Sequence, residues 1–137
     1  MENILIINER GPFREGLRNL MELKFGRLFS VIGFDARKLK KQDKTPRLII
    51  VEQIENASTE NYLKKMKRQG AKVILLISHE EGLKEYMNFE IFSGFLLKNM
   101  KTNDMLQVIE EILDDGEVYV HPEIGSFFLK KLLKTEN

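Results

Sequence analysis

Leu48-Ile49-Ile50-Val51-Glu52 decides the fold: four consecutive apolar residues, three of them β-branched, closed by an acid. A run this short and without polar alternation reads as a strand covered on both faces, as in a parallel sheet. Ile4-Leu5-Ile6-Ile7 upstream and Val73-Ile74-Leu75-Leu76-Ile77 downstream repeat its character. Phe29-Ser30-Val31-Ile32-Gly33-Phe34 and Gly94-Phe95-Leu96-Leu97 fill the two remaining strand positions. Five strands are expected.

Helical patterns lie between these runs. Phe13, Leu17, Leu20, Met21 and Lys24 fall on one helical face, with Pro12 in the first turn, where its missing N–H costs no intrahelical bond. Residues 35–44 are polar and basic, so a second helix there is expected to be short or irregular, closed by Pro46. Ser58 is placed to cap a helix carrying Tyr62, Leu63 and Met66 that ends near Gly70. Leu83, Tyr86, Met87 and Ile91 mark a fourth helix, and Thr102 is placed to cap a fifth, whose stripe Met105, Val108, Ile109 and Ile112 runs toward Gly116. Strands alternating with crossover helices predict an α/β fold, a five-stranded parallel doubly wound sandwich. Val118-Tyr119-Val120-His121-Pro122 reads as a short extended linker before an extra C-terminal helix.

Composition narrows the function. The 137 residues hold 22 Lys+Arg against 21 Asp+Glu, so no global charge favours a nucleic acid or an anionic membrane surface. The basic sets Lys38, Lys40, Lys41 and Lys64, Lys65, Lys67, Arg68 read as solvated faces. With Cys 0, thiolate catalysis, disulfides and cysteine-held zinc are excluded, and His79 and His121 alone make a histidine-rich metal site an unpromising reading. No apolar run approaches the roughly 20 residues that span a bilayer, and the start lacks a secretory pattern, so a cytoplasmic location is expected. Neither Gly-x-Gly-x-x-Gly nor the P-loop pattern occurs, and no Gly-x-Ser-x-Gly elbow surrounds Ser78, so a hydrolase or other enzyme is not expected.

Sites in such sheets form outside the carboxyl ends of the strands. Asn8-Glu9, Glu52, Ile77-Ser78-His79 and Lys98 all follow apolar runs and are the candidates. Glu9 and Glu52 offer hard oxygen ligands that would suit magnesium. The plainer reading is an ion pair of Lys98 with one or both acids, and it is preferred because two carboxylates give thin coordination; no metal or cofactor is therefore expected.

Four segments then carry a resemblance: Asn3-Ile4-Leu5-Ile6-Ile7-Asn8-Glu9 with Phe13-Arg14-Glu15-Gly16-Leu17; Leu48 to Glu52; Gly94-Phe95-Leu96-Leu97-Lys98; and Gly116-Glu117-Val118-Tyr119-Val120-His121-Pro122-Glu123. Over residues 3–122 the chain resembles the receiver domain of two-component response regulators, particularly the NarL/LuxR type. The resemblance implies a flavodoxin-like receiver fold over residues 1–116, with 117–137 as linker and C-terminal amphipathic helix. In that family two acids after the first strand and an aspartate after the third bind magnesium, and the aspartate accepts a phosphoryl group from a histidine kinase. A hydroxyl after the fourth strand and a lysine after the fifth contact the phosphoryl oxygens.

Here the acid pair aligns with Asn8 and Glu9, the acceptor with Glu52, and the hydroxyl with Ile77, or with Ser78 if the strand slips by one residue. Only Lys98 is unchanged, and Phe95 occupies the position of the family's switch aromatic. Asn8 removes a charge from the metal cage, and the extra methylene of Glu52 displaces its carboxylate from the place of an attacking aspartate; phosphoryl transfer depends on such positioning. The phosphorylation site is accordingly read as degenerate, and the function as a phosphorylation-independent interaction or dimerisation module in signal transduction or transcriptional regulation. Two alternatives stay open: a phospho-accepting receiver using Glu52 with magnesium, and a small flavodoxin-like ligand-binding protein. Phe127, Phe128 and Leu132 belong to a terminal helix with more apolar circumference than one buried stripe needs, which points to a homodimer or another protein partner. No helix-turn-helix pattern follows Pro122, so direct DNA binding by these residues is not expected.

Overall fold

In the computed structural model, which describes residues 2–7, 12–34, 44–52, 57–78, 89–114 and 118–135, the five apolar runs become β1 (Glu2–Ile7), β2 (Phe29–Phe34), β3 (Leu48–Val51), β4 (Lys72–Ile77) and β5 (Gly94–Leu97). All pair in parallel, in the order β2-β1-β3-β4-β5. A sixth strand, β6 (Tyr119–Val120), extends the sheet beyond β5, so the expected five strands become six. The segment read as a linker is a strand because β5 leaves its outer edge open: the Tyr119 N–H donates to the Ser93 carbonyl at 3.1 Å and the His121 N–H to the Phe95 carbonyl at 3.0 Å. Two residues are too few to show periodicity, which is why the strand was not visible in the sequence.

The pleat sends alternate side chains to opposite faces and creates two cores. Ile4, Ile6, Leu48, Ile50, Ile74, Leu76 and Leu96 pack beneath α1 (Pro12–Phe25), with α3 (Thr102–Leu113) joining the same cluster. Leu5, Ile7, Ile49, Val51, Val73, Leu75, Ile77, Phe95 and Leu97 face Leu63 and Met66 of α2 (Ala57–Arg68). Ile124 of α4 (Pro122–Thr135), fully buried, completes this second core. Both faces of the sheet are thus covered, the doubly wound arrangement expected of continuous apolar strands. β6 and Ile124 lie beyond residue 116 yet contribute to the sheet and the core.

Local chemistry sets the helix ends. Gly70 has φ +103°, a conformation that costs glycine little, and the Gly70 and Ala71 N–H groups donate to the Lys67 and Met66 carbonyls at 3.0 Å each. This Schellman closure ends α2 where the glycine signalled it. Ser58 lies inside the first turn of α2 rather than before it, and the N-cap of α3 is Lys101, without a side-chain cap bond, rather than Thr102. α3 ends at Leu113, whose carbonyl accepts a 3.1 Å bond from Arg47 Nη2, a cation placed at a helix C-terminus. α3 can lie close to β5 because Gly94 has no Cβ; one built there would come within 2.7 Å of Ile112 Cδ1.

The buried face of α1 is Arg14, Leu17, Met21 and Phe25, while the expected Leu20 sits at its flank, 38% exposed, and Lys24 pairs with Glu110 across to α3 at 2.9 Å. Where the fourth helix was expected, residues 89–91 form a 3₁₀ turn that buries Ile91; residues 79–88, including His79, and the 35–43 segment lie outside the described residues. Among the described residues, no helix is long and apolar enough to cross a membrane.

Candidate functional site

Parallel pairing brings the carboxyl ends of the strands to one edge of the sheet, with Ile7 beside Val51 and Ile77 beside Leu97. The ladder continues one residue further: the Glu52 N–H donates to the Ile7 carbonyl at 3.3 Å and the Lys98 N–H to the Ile77 carbonyl at 2.8 Å. Backbone bonds therefore hold the bases of both side chains at the crevice predicted for a doubly wound sheet.

β3 and β5 flank β4, so their backbones stand about 10 Å apart. The four-carbon stem of Lys98 spans this gap, and its Nζ donates to Glu52 Oε1 in an ion pair. The two side chains are 24% and 18% exposed, so the pair is shielded from solvent without being sealed from it. On its other side the ammonium lies 4.4 Å from the centroid of the Phe13 ring, which α1 supplies from its first turn. Three elements, β3, β5 and α1, meet at one ammonium.

Magnitudes show why two partners are present. Ordering a lysine and a glutamate costs up to about 1.5–2 kcal/mol for each side chain. A partly exposed ion pair returns roughly 0–1 kcal/mol, and a cation–π contact about 0.5–2 kcal/mol depending on desolvation. Either contact alone falls short of the ordering cost, and together they come within reach of it. Phe13 was legible only as a member of a helical stripe, since its meeting with Lys98 depends on how far the lysine side chain reaches back across the end of the sheet.

The remaining candidates separate. Ile77 is 5% exposed and belongs to the α2-side core together with Phe95, 4% exposed, which meets Phe92 edge-on with ring centroids 5.4 Å apart. Ser78 is exposed just past β4. Residues Asn8 and Glu9 lie outside the described residues, as do the side chains of Phe127, Phe128 and Leu132. Among the described residues, no three acids or histidines are grouped to hold a metal ion, and Glu52 Oε1 is engaged by Lys98.

On the α2 side, burial pushes the Tyr62 phenol above its usual range, and its hydroxyl is buried without a hydrogen-bond partner among the described residues.

No family model matches the chain, and no curated protein is significantly similar to it. Solved structures are similar in fold. A LuxR family DNA-binding response regulator from Silicibacter pomeroyi superposes with a TM-score of 0.65 at 23% identity, over 89% of this chain and 98% of that one. A two-component response regulator of the LuxR family from Aurantimonas sp. SI85-9A1 gives 0.69 at 18% identity, over 96% and 97%. The fold is that of a receiver domain. RcsB, solved as two dimers bound to two parallel DNAs, gives 0.62 at 14% identity, over 91% of this chain and 66% of that one. In this receiver fold the crevice bearing Glu52 and Lys98 lies at the β1/β3 switch point, where such sheets place their sites.

Proposed function

We propose that the chain is a receiver-fold module that works in signal transduction or transcriptional regulation through protein contacts, as a binding partner rather than an enzyme and without a phosphorylated state or magnesium. The observation that carries this reading is the closed Glu52–Lys98 pair. Lysine 98 is the group that would stabilise an incoming phosphoryl oxygen, and a carboxylate of the same chain already holds it. The carboxylate is itself the group that would have to attack, and an ion-paired acid is a poorer nucleophile. Ile77 faces the α2-side core and brings no donor to the pair.

Incubation of the full chain with acetyl phosphate and magnesium, followed by intact-mass measurement, tests the proposal. No phosphoryl adduct is expected. A stoichiometric adduct that disappears in Glu52→Gln would overturn it.

The C-terminal helix favours a second copy of this chain as a partner. Ile124 anchors the start of α4 in the core, whereas Leu129 is 62% exposed, an apolar side chain that its own domain leaves uncovered. RcsB, similar in fold, was solved as dimers. Light scattering is expected to give a dimer mass for the unaltered chain and a lower mass for Leu129→Asp, with folding unchanged because the site is exposed. A monomer at high concentration would remove the dimer from the reading.

A further inference from the structure

Lys98 carries a long flexible stem across the end of β4, and a partly exposed carboxylate is a weak restraint on such a stem. The ring of Phe13, 4.4 Å from the ammonium, supplies a second restraint from a different layer of the molecule. Phe13 is only partly buried and packs at the margin of the α1-side core, so its ring is available to the crevice as well as to the sheet. From this juxtaposition we infer that Phe13 is a positioning residue for the closed pair: the aromatic face holds Lys98 over Glu52 and makes the first turn of α1 a wall of the site.

The inference rests on the proposed closed-pair function and deepens it, because it names what keeps the pair closed. An aromatic ring attracts a cation through its quadrupole, and an aliphatic side chain of similar size does not. The role therefore belongs to the ring and not to the volume it fills. Phe13→Tyr preserves the role and Phe13→Leu removes it, although both keep an apolar side chain at the margin of the core. The turn carrying Phe13 begins at Pro12 and also includes buried Arg14, so movement of the α1 N-terminus and loosening of Lys98 become one event.

The test uses the full chain. Amine acetylation at fixed pH, followed residue by residue by mass spectrometry, gives the rate at Lys98 relative to exposed Lys101 in the same molecule. Phe13→Leu is expected to raise the relative rate at Lys98 roughly three- to tenfold, the range that loss of one cation–π contact allows. Phe13→Tyr is expected to stay within about twofold of the unaltered chain. Equal rates in all three, or a Tyr variant as reactive as the Leu variant, would overturn the inference.

Proton NMR of the unaltered chain provides a check that needs no substitution. The Lys98 ε-methylene is expected upfield of the other lysines through the ring current of Phe13, and its absence from that position would overturn the inference as well. Both readouts are independent of phosphoryl uptake. A failed Phe13 result without an adduct from acetyl phosphate therefore leaves the closed pair standing on Glu52 alone, and an adduct with a positive Phe13 result removes only the phosphorylation-independent reading.

Discussion

The two sides of the strand ends differ in kind although they are separated by a single step of the pleat. Toward α1, the residues after β3 and β5 are Glu52 and Lys98, joined by a charge contact and shielded by Phe13. Toward α2, the last residues of β4 and β5 are Ile77 and Leu97, which pack with Phe95 and Phe92 into a closed apolar core. The polar side is held by long side chains that must be ordered, and the apolar side by rings and branched groups that lose little freedom. At the strand ends, close packing therefore lies on the α2 side, and the capacity for change on the α1 side.

Phe95→Ala is the largest expected break in this contrast. Removing a ring that is 4% exposed leaves a cavity, with a loss of about 3–5 kcal/mol in urea unfolding that does not vary with salt. Lys98→Met should cost less, about 1–2 kcal/mol at low ionic strength, because Glu52 is left partly shielded without its counter-charge. Adding Glu52→Gln to it should restore most of that loss, and a double-mutant cycle reads the coupling. If Lys98→Met cost as much as Phe95→Ala, the contrast between the two sides would fail.

The smallest effect is expected at Tyr62. Its raised pKa, caused by burial, means that the folded form keeps its phenolic proton at a pH where the unfolded chain releases it. The associated stability is complete below about pH 10, the ordinary tyrosine value, and is lost as pH rises through the higher folded value. Tyr62→Phe should flatten this alkaline decline and change neutral stability by about 1 kcal/mol or less, since it removes a buried hydroxyl with no described partner. Urea unfolding across the alkaline range measures both.

How much of this could be read in advance depends on the range of the interactions involved. The five long strands, the ends of the sheet where the site lies and the end of α2 at Gly70 are written in contiguous residues, as apolar runs and a glycine signal. β6 is not, because its two residues become a strand only beside β5. The N-cap at Lys101 is a backbone feature without a side-chain signature. Glu52 and Lys98 were visible as candidates because each follows an apolar run. Whether Ile77 or Ser78 shares their crevice depends on the pleat, and Ile77 faces the α2 core. Phe13 could not be assigned a role, because a helix stripe does not reveal which residue meets a neighbouring lysine.

β6 is followed at once by a helix. The His121 N–H is tied to the Phe95 carbonyl, its own carbonyl accepts from Gly125 at 2.9 Å, and its Nδ1 accepts from the Glu123 N–H at 3.2 Å. The 14 residues of α4 make a lever about 21 Å long whose fulcrum is the backbone of Phe95. A rocking of about 10° at that fulcrum would carry the tip through about 4 Å.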